Sequence, residues 1–224
     1  MPKINFIFDK ERDLWNIHRV CNWESPWHKI SKGMPQKVLD IAKGKTFEEC
    51  KAALEENYKS IHESQLILIF LKAVKEAWDK IGDEYFKRLE EITKRPICSE
   101  EFTAELTTMG SCPYDPSKNS FMIDLFSSIP HAMKTIGHEI MHMQVHKYFW
   151  KDIEKEMGND KTHDLKEALT VLLNFKFKDL WFVEDKGYDS HQELRKFIAE
   201  EWKKSKDFDI VLKESVKFIK SIVK

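Results

Sequence analysis

Residues 135–146 read TIGHEIMHMQVH, placing His138, Glu139, His142 and His146 within about three turns of one helix. Pro130, just upstream, predicts where that helix begins. Residues four apart on a helix differ by about 40° in direction and about 6 Å in height, so the imidazoles of His138 and His142 can converge on one ion. A rigid helix pre-orients both for a metal such as zinc, which takes neutral nitrogen ligands at roughly 2.0–2.1 Å. Glu139 lies about 100° around the helix from His138. It can stand beside a metal-activated water without being a ligand, as a general base must. His146 is about 12 Å along the axis from His138, too far to share the ion on a continuous helix.

A catalytic zinc usually takes three protein ligands. The leading third candidate is Glu167, in the segment HDLKEALTVLLN (163–174). Its neighbours are apolar, so an ionised carboxylate there needs a partner, and a metal ion is one. His163, Glu154 and Cys112 stand as fallback ligands. Geometry sets a condition. A motif helix running on to Met157 would carry the chain about 22 Å from His142, and a return helix from His163 recovers only about 6 Å before Glu167. The motif helix should therefore end near Tyr148–Lys151, or the 151–163 segment must fold back.

Thr135 and the uncharged residues at 136, 140, 141 and 143 extend the HExxH match, while Gln144 stands where a hydrophobic residue is usual. Here the chain resembles the zincin metallopeptidases. Val145 and Tyr148 depart from the metzincin pattern, and the glycine-rich and EGC motifs of the peptide deformylases, which use an upstream Cys ligand, are missing. The remaining resemblance is to the gluzincins, over about 60–224, and in scale to their minimal members. It implies an α+β, zincin-like fold, mostly helical with a small sheet, an active-site helix and a following glutamate helix. It further implies a zinc-dependent metallopeptidase, with His138, His142 and Glu167 on the metal and Glu139 activating water. Tyr188 and His191, in GYDSHQEL (187–194), occupy the place of oxyanion-stabilising residues. NSFMIDLF (119–126) occupies that of the edge strand that pairs with substrate, with an internal strand as the alternative. Helix 63–94 would be the backing helix. Thermolysin-like members carry an Asp four residues after the ligand Glu, where this chain has Val171; Asp164 is the substitute expected to orient a ligand histidine. Some minimal gluzincins regulate themselves by self-association or by occluding the site. The corresponding expectation is that the aromatic segment with His18, Cys21 and His28 either covers the cleft or serves packing.

The remaining sequence bounds the alternatives. A chain of 224 residues, 42% hydrophobic and 12% aromatic, suits a single catalytic domain, with 1–59 as an N-terminal helical and aromatic segment and 60–224 as the core. Its 37 basic and 38 acidic side chains nearly cancel, giving no electrostatic reason to expect nucleic acid or a membrane as partner; a peptide or protein substrate is expected instead. Four cysteines without a CxxC pair, and no signal-like apolar run, point to the cytoplasm.

Along the chain, 4–9 alternates like a strand and 14–35 reads as irregular or half-helical. Thr46 with Glu49 forms a capping-box pattern, and a helix through 66–94 has Gly82 as a kink candidate and Arg95-Pro96 as its stop. Residues 102–109 and 121–126 read as a hairpin or two neighbouring strands, 164–177 as one apolar helix, and about 190–205 and 208–223 as two final helices. A catalytically silent zincin fold used for binding is the rival reading. A di-iron bundle would need a second ExxH motif, which the chain lacks.

Overall fold

Asp9 accepts hydrogen bonds from the backbone N–H groups of Glu11 (2.8 Å) and Arg12 (3.1 Å), and with that cap the N-terminal segment turns helical. In the computed structural model, which describes residues 1–23 and 33–222, helix α1 spans Lys10–Asn22. Residues 14–22, within the stretch read as irregular or half-helical, are therefore helical. The remainder of 14–35 lies largely outside the described residues, as does His28.

Strand β1 (Lys3–Ile7) precedes α1, and α2 (Gln36–Ala42), α3 (Phe47–His62) and α4 (Gln65–Thr93) follow. The expected capping box opens α3: Glu49 accepts from the Thr46 N–H at 2.8 Å, and Thr46 Oγ1 accepts from the Glu49 N–H at 3.4 Å. Such a cap contributes about 1 kcal/mol. Helix α4 runs unbroken through Gly82, so the kink is absent. The missing Cβ makes room for the Trp78 indole, which would stand 2.6 Å from it.

Strands β2 (Glu101–Thr107), β3 (Tyr114–Asp115) and β4 (Ser120–Asp124) complete a four-stranded mixed sheet in the order β1-β2-β4-β3. β2 pairs in parallel with both β1 and β4, while β3 runs antiparallel to β4. The neighbouring-strand alternative thus holds over the hairpin. β4 is internal, and the edge beside it is β3, so 119–126 does not offer the expected free edge.

The two-residue period of β2 divides the molecule. Phe102, Ala104 and Leu106 face the main core, where Phe102 stacks on Phe86 of α4 at 6.1 Å. Glu105 and Thr107 face α1, bonded to Arg12 and Asp13. Behind α1, a second buried cluster joins Leu14, Ile17, Val38, Leu54 and Met109. The fold is α+β and mostly helical, with the sheet between a three-helix N-terminal layer and the larger helical body. Among the described residues, no helix is long and apolar enough to cross a membrane.

Candidate metal centre

Helix α5 (Ile129–Tyr148) carries the motif. Ser128 caps it and Pro130 lies in its first turn. Gly137 lets two aromatic side chains close on the helix: a Cβ there would meet Trp181 at 2.7 Å and Tyr85 at 3.0 Å. The Tyr85 hydroxyl, in turn, donates to the Gly137 carbonyl at 2.6 Å. Gln144 departs from the apolar norm because it serves the end of α4. It donates to the Pro96 carbonyl (3.0 Å) and accepts from the Cys98 N–H (2.9 Å), fixing the turn into β2.

The chain then satisfies both branches of the geometric condition. α5 ends at Tyr148, and the short helix α6 (Trp150–Met157) follows at once. Gly158, at φ +82°, turns it into α7 (Asn159–Leu169), which carries Glu167. The apolar segment 164–177 is not one helix. After α7, a 3-10 turn at Thr170–Leu172 leads to α8 (Leu173–Lys176) and α9 (Lys178–Trp181). Thr170 Oγ1 lies 2.9 Å from Asp185 Oδ1 and accepts from Arg195 at 2.8 Å, side-chain bonds that tie this turn to the loop beyond.

Among the described residues, His138, His142 and Glu167 form a group whose ligand atoms all lie within 4.8 Å of one another. Glu167 Oε1 is 3.3 Å from His142 Nε2, and Oε2 is 3.7 Å from His138 Nε2. His142 Nε2 is buried and has no hydrogen-bond partner. A buried polar nitrogen left that way costs about 1–3 kcal/mol, a penalty that an ion accepting its lone pair would remove. Two imidazoles and a carboxylate are also the donor set of catalytic zinc sites. On both counts these residues fit a zinc ion.

The orienting carboxylate is Asp185, not Asp164. Asp185 Oδ2 accepts from His138 Nδ1 at 2.8 Å, which leaves Nε2 facing Glu167. Asp185 Oδ1 accepts from Arg195 at 3.0 Å, and Asn174 bonds the Asp185 backbone on both sides at 2.8 Å. Buried Lys166 donates to Glu167 Oε1 (2.8 Å) and to the Tyr114 hydroxyl (3.0 Å).

These charges set the protonation states of the metal-free chain. Burial disfavours the charged form of His138, but Asp185 and Glu167 outweigh it and hold its pKa up to about 10. Burial, helped by Lys166, pulls His142 down to about 3, so it stays neutral. Burial lifts Glu139 to about 7 against the pull of His138. Glu167 is driven well below the ordinary range, because His142, His138 and Lys166 overcome its burial.

The other expected residues separate. Tyr188 lines the cavity beside Glu139 and Glu167. His191 is buried behind it, ring against ring at 5.4 Å, with its Nε2 on Asp164 at 3.0 Å. Asp164 therefore anchors His191 and not a ligand. His146 stacks on Trp150 at 4.0 Å, and His163 packs edge-on to the same ring at 4.7 Å. His163, Glu154 and Cys112 are outside the converging group. At the N-terminus, His18 donates to the Lys45 carbonyl at 2.7 Å and Cys21 is buried in the second cluster. Asp185, Lys166 and Tyr114 carried no signal in the sequence reading; a search for an acidic residue downstream of α7 would have raised Asp185 alongside Glu184.

The group opens on a cavity of about 1270 Å³ between the N-terminal layer and the larger body. Arg19, Trp23 and Tyr58 line one side, and His138, Glu139 and Tyr114 are among the residues opposite. No family model, no curated protein and no solved structure matches the chain.

Proposed function

We propose that the chain is a zinc-dependent metallopeptidase of gluzincin type, with a zincin-like fold. The observation that carries the reading is the convergence of His138, His142 and Glu167 at the wall of a large cleft, with Glu139 beside them. His138, His142 and Glu167 would hold the metal, and Asp185 orients His138 through its Nδ1–H. Zinc, when bound, supplies a Lewis acid that polarises the scissile carbonyl and acidifies water. Glu139 takes the proton of the attacking water and returns it to the leaving amine nitrogen. Tyr188, whose hydroxyl burial holds in its protonated form at a pKa of about 12, donates a hydrogen bond to the developing oxyanion. His191 supports that tyrosine from behind, ring against ring.

The test is elemental analysis of wild type, Glu167→Ala and Glu139→Gln, together with cleavage of a peptide library. About one zinc per chain is expected in wild type, falling to a small fraction in Glu167→Ala. Glu139→Gln should keep its metal and lose cleavage by about 10²- to 10⁴-fold. No zinc in wild type after incubation with the metal, or zinc-loaded protein without turnover, would overturn the reading. Full zinc in Glu167→Ala would remove Glu167 from the ligand set.

A further inference from the structure

The chain contains five arginines, and four of them meet a carboxylate. Arg12 pairs with Glu105 at 2.9 Å, Arg88 with Glu84 and Asp179 at 2.7 Å, Arg95 with Asp209 at 3.2 Å, and Arg195 with Asp185 at 3.0 Å. Arg19 alone has no acidic partner among the described residues, and Arg19 is the arginine that lines the cavity.

Its guanidinium is held in place by neutral groups. Nε donates to Asn16 Oδ1 at 2.9 Å and Nη2 to Ser111 Oγ at 2.7 Å. The Trp23 ring lies 4.9 Å from its central carbon. Asn16 is itself fixed by Thr107 Oγ1 and the Ser111 carbonyl, both at 2.9 Å. A fixed planar fork with spare N–H donors and, among the described residues, no counter-charge, in a cleft, is a receptor for a carboxylate. Burial already pulls Arg19 below the ordinary guanidinium range, a penalty that an incoming anion would relieve.

The catalytic side shares the same space. Cys112, next to Ser111, lines the cavity and is half-buried; its thiol is pushed up first by desolvation and then by Glu139, while Arg19 acts in the opposite direction. Lys134, one turn before His138 on α5, is a second cavity-lining cation without an ion-pair partner among the described residues. Apart from the proposed zinc ligand Glu167 and Glu139, the acidic side chain on the wall among the described residues is Asp160.

Resting on the peptidase reading, we propose that Arg19 is a specificity-determining residue that binds a carboxylate of the substrate, so that the cleft selects acid-bearing peptides. The carboxylate can be the C-terminus or an Asp or Glu side chain, and the experiment separates the two.

Zinc-supplemented Glu139→Gln chain is dialysed to equilibrium against random octapeptide pools, and the bound fraction is read by mass spectrometry. One pool has free C-termini, one has amidated C-termini, and a third replaces every Asp and Glu by Asn and Gln. Acid-bearing peptides should be enriched about 10- to 100-fold over neutral ones. Adding Arg19→Gln should abolish that enrichment while neutral peptides bind as before, and Arg19→Lys should restore part of it. Loss of enrichment on amidation assigns the C-terminal carboxylate; persistence with a positional Asp or Glu preference assigns a side chain. Equal binding of acidic and neutral pools, or enrichment that survives Arg19→Gln, overturns the proposal. Zinc content and wild-type cleavage are read separately, so failure of the peptidase reading is distinguishable from failure of this one.

Discussion

His62 and Asp13 meet at 2.8 Å in the N-terminal layer, and His138 and Asp185 meet at 2.8 Å beside the motif helix. Both aspartates are buried and both accept several hydrogen bonds, yet the two pairs are built for different ends. Asp13 is closed: besides His62, it accepts from Thr107 Oγ1 (2.7 Å), the Thr108 N–H (2.7 Å) and Thr108 Oγ1 (2.9 Å). These bonds fasten α1 and α3 to the end of β2. His62 keeps one buried nitrogen without a partner, Nδ1, and its ring packs against Phe8 and Tyr58. The far nitrogen of His138 instead faces a second carboxylate at the wall of the cleft, with a second histidine beside its ring. A buried His–Asp pair is therefore no signature of chemistry. What separates the two is what the other ring nitrogen faces.

The largest effect should come from breaking the closed pair. Asp13→Ala strands several buried donors at once and should cost about 3–5 kcal/mol of stability, read by urea unfolding. Zinc per folded chain should not change. A parallel loss of zinc would show that the N-terminal layer shapes the metal centre, and the contrast between the pairs would fail.

Asp185→Asn tests the other side. The amide keeps the size of the side chain but loses the charge that fixes the His138 tautomer, and removing such an outer partner typically weakens metal binding about 10- to 100-fold. Competition with a chromogenic chelator measures it. Unchanged affinity would mean that Asp185 serves the fold alone, as Asp13 does.

The two pairs were unequally visible before the structure. His138, Glu139 and His142 share one helix, and helical geometry alone places them on neighbouring directions. The Thr46–Glu49 cap and the end of α5 at Tyr148 are legible for the same reason, since local chemistry or reach decides them. Asp185 is 47 residues from His138, in a stretch without periodicity, and the Arg195–Thr170–Asn174 network holds it in place. Asp13 reaches Thr107 and Thr108 across more than ninety residues by way of the parallel pairing of β1 with β2. Alternating apolar residues identify β2 and β4 as strands but carry no information on direction, so parallel neighbours stayed indistinguishable from a hairpin. Arg19 was missed because an arginine becomes informative only when its partners, or their absence, are seen.

The smallest expected effect sharpens the comparison most. In the metal-free chain, His138 holds its proton up to about pH 10, against an ordinary value of 6.5, chiefly because Asp185 and Glu167 prevail over burial. A basic group with a raised folded pKa contributes stability that is fully present below the unfolded value and is lost as pH rises through the folded one. Between pH 7 and 8 the folded state retains a proton that the unfolded chain gives up, so metal-free stability should fall by about 1 kcal/mol. Zinc on Nε2 would displace that proton, so the zinc-loaded chain should lose the His138 share of this slope. So should metal-free His138→Gln, which keeps only the smaller slope of the same sign from Glu139, raised to about 7. The measurement is urea unfolding at pH 7 and 8, with and without zinc. An undiminished slope in His138→Gln would place the titrating group elsewhere, whereas a slope that shrinks by most of its size there and on adding zinc would tie the exposed end of this pair to the metal.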